Sequence, residues 1–180
     1  MTDDQTCACG RIDVHQHFLP PVYVEALAKA GLKTLDGGFP VPAWSASAAI
    51  EMMDRQEIGT AMISLSSPST HFLPLGERPP LVRDINEAGR DLVRAHPGRF
   101  GFFATLPLPD VEAALTEIDY AFETLGVDGV ILETNIDGEY LGSPRFAPIF
   151  AELNRRKATL FLHPTSPACF DAIALGVNVL

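Results

Sequence analysis

Short runs of apolar and small residues recur along the chain and predict buried β-strands. Runs such as AMISLS, GFFATL and GVILET show no regular alternation of polar and apolar positions. That pattern is typical of strands covered on both faces in a parallel sheet. The predicted strands are Arg11–His15, Thr60–Ser66, Phe100–Leu106, Gly129–Thr134 and Thr159–His163. From Thr60 onward, successive strands start 40, 29 and 30 residues apart, which leaves room for one helix between each pair.

Amphipathic stretches with helix-start and helix-stop residues lie between these strands. A first helix is expected around Val22–Ala30, and a second is expected to carry Ile50, Met53 and Ile58. Ser45 or Ser47 can cap this second helix, which is expected to stop at Gly59. An apolar stripe from Leu81 to Val93 predicts a further helix that ends at the Pro97-Gly98 turn. Asp110 caps the next helix, with Gly126 just past its end, and Ser143-Pro144 opens the last one. Strand and helix therefore alternate, which predicts a parallel α/β fold.

Five strand–helix units are fewer than a closed barrel requires. A TIM-type (β/α)8 barrel has eight units in about 250 residues, whereas this chain has 180 residues. We therefore expect an incomplete barrel made of its N-terminal five βα units. It forms one partial domain over 11–180, after a disordered tail over 1–10. Open sheet edges favour association, so a homo-oligomer or a complementing C-terminal piece is an expected partner.

Composition and charge narrow the classes of partner. The chain has 13 basic and 23 acidic residues, which gives a net charge of −10 and argues against nucleic acid or an anionic membrane surface. No run approaches the roughly 18 apolar residues of a membrane span, and MTDDQTCACGR lacks an apolar signal core. We expect a cytoplasmic protein. Cytosolic thiols stay reduced, so Cys7, Cys9 and Cys169 are assigned no role.

Two histidines follow one another at the end of the first predicted strand, in DVHQHFLP. Side chains alternate along a strand, so His15 and His17 project to the same side. Two imidazoles at this spacing can bind one divalent ion. His163 ends the fifth predicted strand just before Pro164, and such strand ends meet at the mouth of a barrel. We expect these three histidines to be metal ligands; the alternative is unrelated histidines that make hydrogen bonds at strand ends.

Other residues near the predicted strand ends are candidates for substrate contact. Trp44 lies in the Gly/Pro-rich segment LDGGFPVPAW, where it can stack on an aromatic substrate or anchor the surface. Ser66 and His71 follow the second predicted strand, and Asn135 follows the fourth. Each of these is also an ordinary hydrogen-bonding residue of a loop. Glu133 is expected to make a structural hydrogen bond rather than to bind metal.

The elements DVHQHFLP and LFLHPTSP together resemble the amidohydrolase-related metal-dependent decarboxylases, the group of the aminocarboxymuconate-semialdehyde and γ-resorcylate decarboxylases. PAWSASAAIEMMDRQEIGTAMISLSSP, HPGRFGFFATLPLPD and GEYLGSPRFAPIFAELNRR are most similar to its 6-methylsalicylate decarboxylase-like branch. The resemblance runs from Arg11 onward. It implies that His15, His17 and His163 bind one zinc or manganese ion. The sixth-strand histidine and eighth-strand aspartate of that family have no counterpart in this chain, so the catalytic residues are unknown.

The resemblance implies nonoxidative decarboxylation of a small aromatic or unsaturated carboxylic acid, similar to 6-methylsalicylate. In such a reaction the metal binds the substrate carboxylate and a neighbouring hydroxyl group. One alternative is a metal-dependent hydrolase of an ester, lactone or amide, because three histidine ligands suit either chemistry. Another is an inactive truncated fragment, because three βα units are missing. Product analysis separates the two reactions: decarboxylation releases CO₂, whereas hydrolysis splits the substrate into two fragments.

Overall fold

Five parallel strands in chain order form the sheet of the protein, whose computed structural model describes residues 10–65 and 67–167. The strands are β1 (Arg11–His17), β2 (Ile58–Ser64), β3 (Phe100–Ala104), β4 (Gly129–Glu133) and β5 (Thr159–His163). Each strand pairs in parallel with the next one along the chain. The sheet curls into a half-barrel. The predicted α/β fold of five barrel units is confirmed.

Within residues 10–65 and 67–167, five α-helices follow the strands in the predicted order. They are α1 (Pro21–Lys29), α2 (Ala46–Arg55), α3 (Arg78–Ala95), α4 (Val111–Tyr120) and α5 (Ala147–Arg156). A π-helical turn over Ala121–Leu125 extends α4, and a short antiparallel hairpin, Asn135–Ile136 with Glu139–Tyr140, lies between β4 and α5. Among the described residues, no helix is both long and apolar enough to cross a membrane.

The predicted helix caps are present in the structure. The Ser45 side chain accepts a hydrogen bond from the Ala48 amide at 3.2 Å, and Asp110 accepts one from the Ala113 amide at 3.0 Å. Each cap satisfies an amide that has no partner within its own helix. Gly126 takes the left-handed conformation, with φ of 65°, directly after the π-helical turn. These three signals were therefore read correctly from the sequence.

The predicted end of the second helix is wrong. α2 ends at Arg55, and Ile58 and Gly59 belong to β2. Glu57 adopts a φ of 56°, so the chain leaves the helix through a left-handed residue that is not glycine. Gly59 instead allows two backbones to approach, because a Cβ there would lie 3.1 Å from the Cα of Gly10.

Several predicted strand ends also differ from the structure. β1 runs two residues further and includes His17, β2 starts and ends two residues earlier, and β3 and β4 end before Leu106 and Thr134. Leu65 and Leu106 are nevertheless buried. Hydropathy marks burial rather than ladder hydrogen bonds, so the apolar runs extend past the points where strand pairing stops.

Part of the sequence prediction lies outside the described residues. The structure describes Gly10 of the tail predicted over 1–10, but none of residues 1–9. Cys7, Cys9, Cys169 and Ser66 are also outside the described ranges. The domain boundaries therefore stay a prediction.

Close packing of β4 against β5 fixes the position of His163. The two strands pair from Gly129 with Thr159 to Glu133 with His163. A Cβ at Gly129 would lie 2.4 Å from the carbonyl oxygen of Thr159, a backbone atom that cannot move aside without disturbing the ladder. Residue 129 therefore has to be glycine for the strands to pair at this register.

Gly129→Ala is expected to lower the free energy of unfolding by about 1–3 kcal/mol, the usual cost of overpacking. Urea unfolding of the chain measures the effect. Gly142→Ala is the matched control, because a Cβ there meets no atom within 4 Å; its expected effect is below about 1 kcal/mol. Equal effects of the two substitutions would contradict the close approach.

Candidate metal centre

Three histidine side chains from the two edge strands converge on one point. The Nε2 atoms of His15 and His17, both on β1, are 3.1 Å apart. The Nε2 atom of His163, on β5, lies 3.0 Å from that of His17. These ligand atoms all lie within 4.8 Å of one another. The curl of the sheet thus brings together histidines separated by most of the chain, as the sequence predicted.

The spacing of these nitrogens fits ligands of one divalent ion. Two nitrogens about 2.0–2.1 Å from an ion, at angles between about 90° and 109°, are about 2.8–3.4 Å apart. The observed 3.0 and 3.1 Å lie in that range. His17 Nδ1 is 3.3 Å from the carbonyl oxygen of Ser64, so Nδ1–H donates there and Nε2 keeps its lone pair. The residues present therefore fit a metal ion.

The environment of the cluster keeps its buried members neutral, which is the form that binds metal. Burial, together with the neighbouring His163 and His15, lowers the pKa of His17 to about 4. Burial, together with His15, also lowers the pKa of His163. Both side chains are thus free of a competing proton at neutral pH.

A cavity of about 360 Å³ opens over the three histidines. Its walls include Leu35, Asp36 and Phe39 from the Gly/Pro-rich segment after α1, and Ser67 and Pro164 from the loops that follow β2 and β5. The volume is that of a small-molecule site. The Gly/Pro-rich segment thus forms part of the cavity wall. The role of Asp36 was missed, although its place in that segment was the available signal.

Two of the predicted substrate residues have other contacts in the structure. Trp44 is half-buried and packs edge-on against Phe18, with ring centroids 6.2 Å apart. Asn135 donates from its amide to Thr165 Oγ1 at 2.8 Å and to the Ser166 carbonyl at 3.0 Å, which ties the hairpin to the loop after β5. A substrate role for either residue stays a prediction.

His71 pairs with Glu133 in a second, adjoining cavity. Nδ1 of His71 lies 3.3 Å from Oε2 of Glu133. This cavity, of about 190 Å³, shares Asp36 and Ser67 with the walls of the first. Burial lowers the pKa of His71 and raises that of Glu133 to about 7. The sequence predicted a structural hydrogen bond for Glu133 but not this partner.

A buried arginine joins the loops around the second cavity. Arg78 is 4% exposed and donates to the carbonyl oxygens of His71, Leu73 and Leu108 at 2.9–3.0 Å. It also donates to the Asp137 carboxylate at 2.9 Å. Sequence reasoning missed this residue. The available signal was a cation at the start of α3, where the helix dipole disfavours positive charge.

The buried carboxyl group of Glu133 should make stability depend on pH. Burial, with Asp36 and Asp137 nearby, raises its pKa from 4.5 to about 7. Between these values the folded chain binds more protons than the unfolded chain, so stability falls as pH rises from about 4.5 to 7 and then levels off. Glu133→Gln removes this loss. We expect it to stabilise the metal-free chain near pH 8, by at most about 3 kcal/mol, and hardly at all near pH 4.

Urea unfolding at the two pH values measures this difference. Glu51→Gln, at an exposed site on α2, is the matched control and should change stability by less than about 0.5 kcal/mol at both. The expectation fails if Glu133→Gln has the same effect at acidic and alkaline pH.

Sequence comparison relates these features to known proteins. The sequence profile of the amidohydrolase family matches residues 12–177. The chain is 45% identical over 164 residues to decarboxylase yanB of Aspergillus niger, covering 88% of this chain and 44% of that protein. It is 38% identical over 162 residues to the 6-methylsalicylic acid decarboxylase of Penicillium expansum, covering 88% and 49%. It is 32% identical over 133 residues to the gamma-resorcylate decarboxylase of Rhodococcus jostii, covering 68% and 40%. The chain spans about half the length of the curated relatives it matches.

Solved structures give the same fold. A crystal structure of an amidohydrolase II superposes with a TM-score of 0.84 at 34% identity, over 94% of this chain and 54% of the other. A 5-carboxyvanillate decarboxylase from Novosphingobium aromaticivorans, solved with bound manganese, gives 0.72 at 26% identity, over 87% and 51%. A dihydroxybenzoic acid decarboxylase from Polaromonas, with manganese and the inhibitor 2-nitroresorcinol, gives 0.73 at 22% identity, over 91% and 52%.

Proposed function

The chain belongs to the amidohydrolase family, and on that basis we propose that the full-length protein is a metal-dependent, nonoxidative decarboxylase of a small aromatic carboxylic acid. The observation that carries the proposal is the convergence of His15, His17 and His163 beneath a cavity of about 360 Å³. Its relatives include proteins named as decarboxylases of 6-methylsalicylic acid and gamma-resorcylate. Both are aromatic acids small enough for such a cavity.

Residues of this chain provide the metal ligands and one apolar wall of the proposed site. The ring nitrogens of the three imidazoles converge on one point, and the Ser64 carbonyl fixes the orientation of His17. When bound, a zinc or manganese ion supplies positive charge that orients the substrate carboxylate and a neighbouring hydroxyl group. Leu35 and Phe39 give the cavity an apolar wall suited to an aromatic ring.

The group that protonates the ring carbon is proposed to lie in a part of the full-length protein beyond this chain. Asp36 is the acidic residue in the cavity wall among the described residues. Its carboxylate accepts hydrogen bonds from the amide and hydroxyl of Ser166, at 3.1 and 2.9 Å. That arrangement suits a structural role better than proton transfer.

Exposed apolar residues on the two edge strands support a longer functional unit. Ile12 and Val14 on β1 are 65% and 52% exposed, and Leu162 on β5 is 52% exposed. We propose that further barrel units, a complementing piece or a second copy covers them, because large apolar side chains on paired strands are normally buried.

A cytoplasmic location and the choice between zinc and manganese also stay proposals.

A substrate screen of the full-length protein tests the proposed reaction. The protein is loaded with manganese or zinc and given 6-methylsalicylate, 2,6-dihydroxybenzoate and aryl esters of the same size. We expect CO₂ release from at least one of the acids, loss of activity on chelation, and recovery when metal is returned. Cleavage of the esters without CO₂ release would identify a hydrolase, and no turnover of any compound would identify an inactive protein.

A further inference from the structure

Glu133 has one carboxylate oxygen that the protein leaves without a partner. Its Oε2 atom faces His71 Nδ1 at 3.3 Å. Its Oε1 atom is buried and has no hydrogen-bond partner of good geometry within residues 10–65 and 67–167, and the same is true of Ser67 Oγ. The Ser67 hydroxyl lies near enough to favour the ionised form of Glu133, yet burial dominates and raises its pKa. Both residues line the second cavity, and each has a polar atom buried just behind its surface.

Buried polar atoms without a partner lower the stability of the fold. A buried polar group without a hydrogen bond destabilises a fold by about 1–3 kcal/mol, and more when it is charged. The His71 backbone is held independently of Glu133, because Arg78 donates to the His71 carbonyl oxygen. The unpaired oxygen of Glu133 is thus better explained by a ligand than by the fold.

The position of Glu133 matches a ligand that also reaches the histidines. Glu133 and His163 are paired residues on β4 and β5, so their side chains lie on the same face of the sheet. Neighbouring strands are about 4.7–4.9 Å apart, a separation that one aromatic ring can span. The two cavities meet at Asp36 and Ser67. A ring held by its carboxylate at the metal centre can therefore direct a substituent towards Glu133.

The walls of this second cavity are fixed on both sides. Arg78 bonds to the His71 carbonyl oxygen on one side and to Asp137, in the hairpin after β4, on the other. Asn135 holds the loop after β5 through Thr165 and Ser166. The position of Glu133 is thus set before any ligand binds, which favours selective recognition.

We propose that Glu133, together with His71 and Ser67, binds a second hydroxyl group of the aromatic acid. The site then selects a dihydroxy acid over one that carries a methyl group at the same ring position. This inference rests on the proposed function, because it takes the metal centre as the site of the carboxylate. A site built to hydrogen-bond a hydroxyl group rejects the analogue without it, since the buried polar atoms are then left unpaired.

Calorimetry with two unreactive ligands tests the inference on the manganese-loaded, full-length protein. The ligands are 2-nitroresorcinol and 3-methyl-2-nitrophenol, which differ in one hydroxyl group against one methyl group. We expect the unmodified protein to bind 2-nitroresorcinol at least about tenfold more tightly. Glu133→Leu should abolish this preference. Glu133→Gln should keep part of it, because the amide still forms hydrogen bonds.

The exposed variant Glu51→Gln is the matched control and should keep the full preference. Equal affinity of the unmodified protein for both ligands overturns the inference. So does an unchanged preference in Glu133→Leu, or binding of neither ligand. Because these ligands do not react, the outcome is independent of the CO₂ assay: a Glu133-dependent preference without CO₂ release would leave the hydroxyl site standing and reject decarboxylation.

Discussion

Replacing His17 by alanine is expected to remove the bound metal from the full-length protein and to abolish its turnover. The Nε2 atom of His17 lies within 3.1 Å of those of both His15 and His163, so its loss opens the centre of the cluster. This chain then supplies two histidines from different strands, whereas metal sites in enzymes normally use at least three protein ligands. The rate should fall by more than about a thousandfold, because metal catalysis contributes several kcal/mol.

Metal content after exhaustive dialysis, measured by elemental analysis, gives the direct readout. His96→Ala is the matched control, since His96 packs edge-on against Phe100 with ring centroids 5.8 Å apart and lies outside the cluster. It should retain metal and activity. Stoichiometric metal retained in both His15→Ala and His17→Ala would refute the assignment of these ligands.

Replacing Arg78 by methionine is expected to lower the free energy of unfolding by about 3–5 kcal/mol, because three carbonyl oxygens lose their donor and each acceptor left unpaired costs about 1 kcal/mol or more. The Asp137 carboxylate loses a donor at the same time. Buried acceptors without donors are more costly than a lost surface ion pair. The loops around the second cavity should loosen together, because this one guanidinium joins them.

Urea unfolding measures the effect, with Arg94→Met as the control. Arg94 makes an exposed ion pair with Asp91 at 3.4 Å, so its replacement should cost less than about 1 kcal/mol. Arg78→Lys keeps the charge but not the planar set of donors, and should fall between the two. A loss for Arg78→Met no larger than that for Arg94→Met would show that the network does not stabilise the fold.

The features that could be predicted from the sequence are those with a local signal. Continuous apolar runs predicted all five strands of the sheet, and Ser45 and Asp110 marked two helix starts through hydrogen bonds to amides three residues away. The spacing of His15 and His17 placed two ligands on one face of a strand. His163 could be added because parallel strand ends meet at one mouth of the barrel.

The features that could not be predicted depend on contacts between distant segments. An apolar residue such as Ile58 fits the buried face of a helix as well as it fits a strand. Its pairing with β1 is what places it in a strand. Arg78 and Asp137 are 59 residues apart, and the sequence around each residue does not indicate that the other is its partner. The pairing of His71 with Glu133 likewise arises only after the sheet has curled.

The most direct test of the proposed reaction follows the carboxyl carbon itself. The metal-loaded, full-length protein is incubated in deuterium oxide with 2,6-dihydroxybenzoate carrying an isotopic label in the carboxyl group. We expect the label to leave as carbon dioxide and one deuterium to take its place on the ring, with neither change in the His17→Ala variant. Retention of the label in the organic compound, in a protein that binds its metal and cleaves an ester or lactone instead, would contradict decarboxylation.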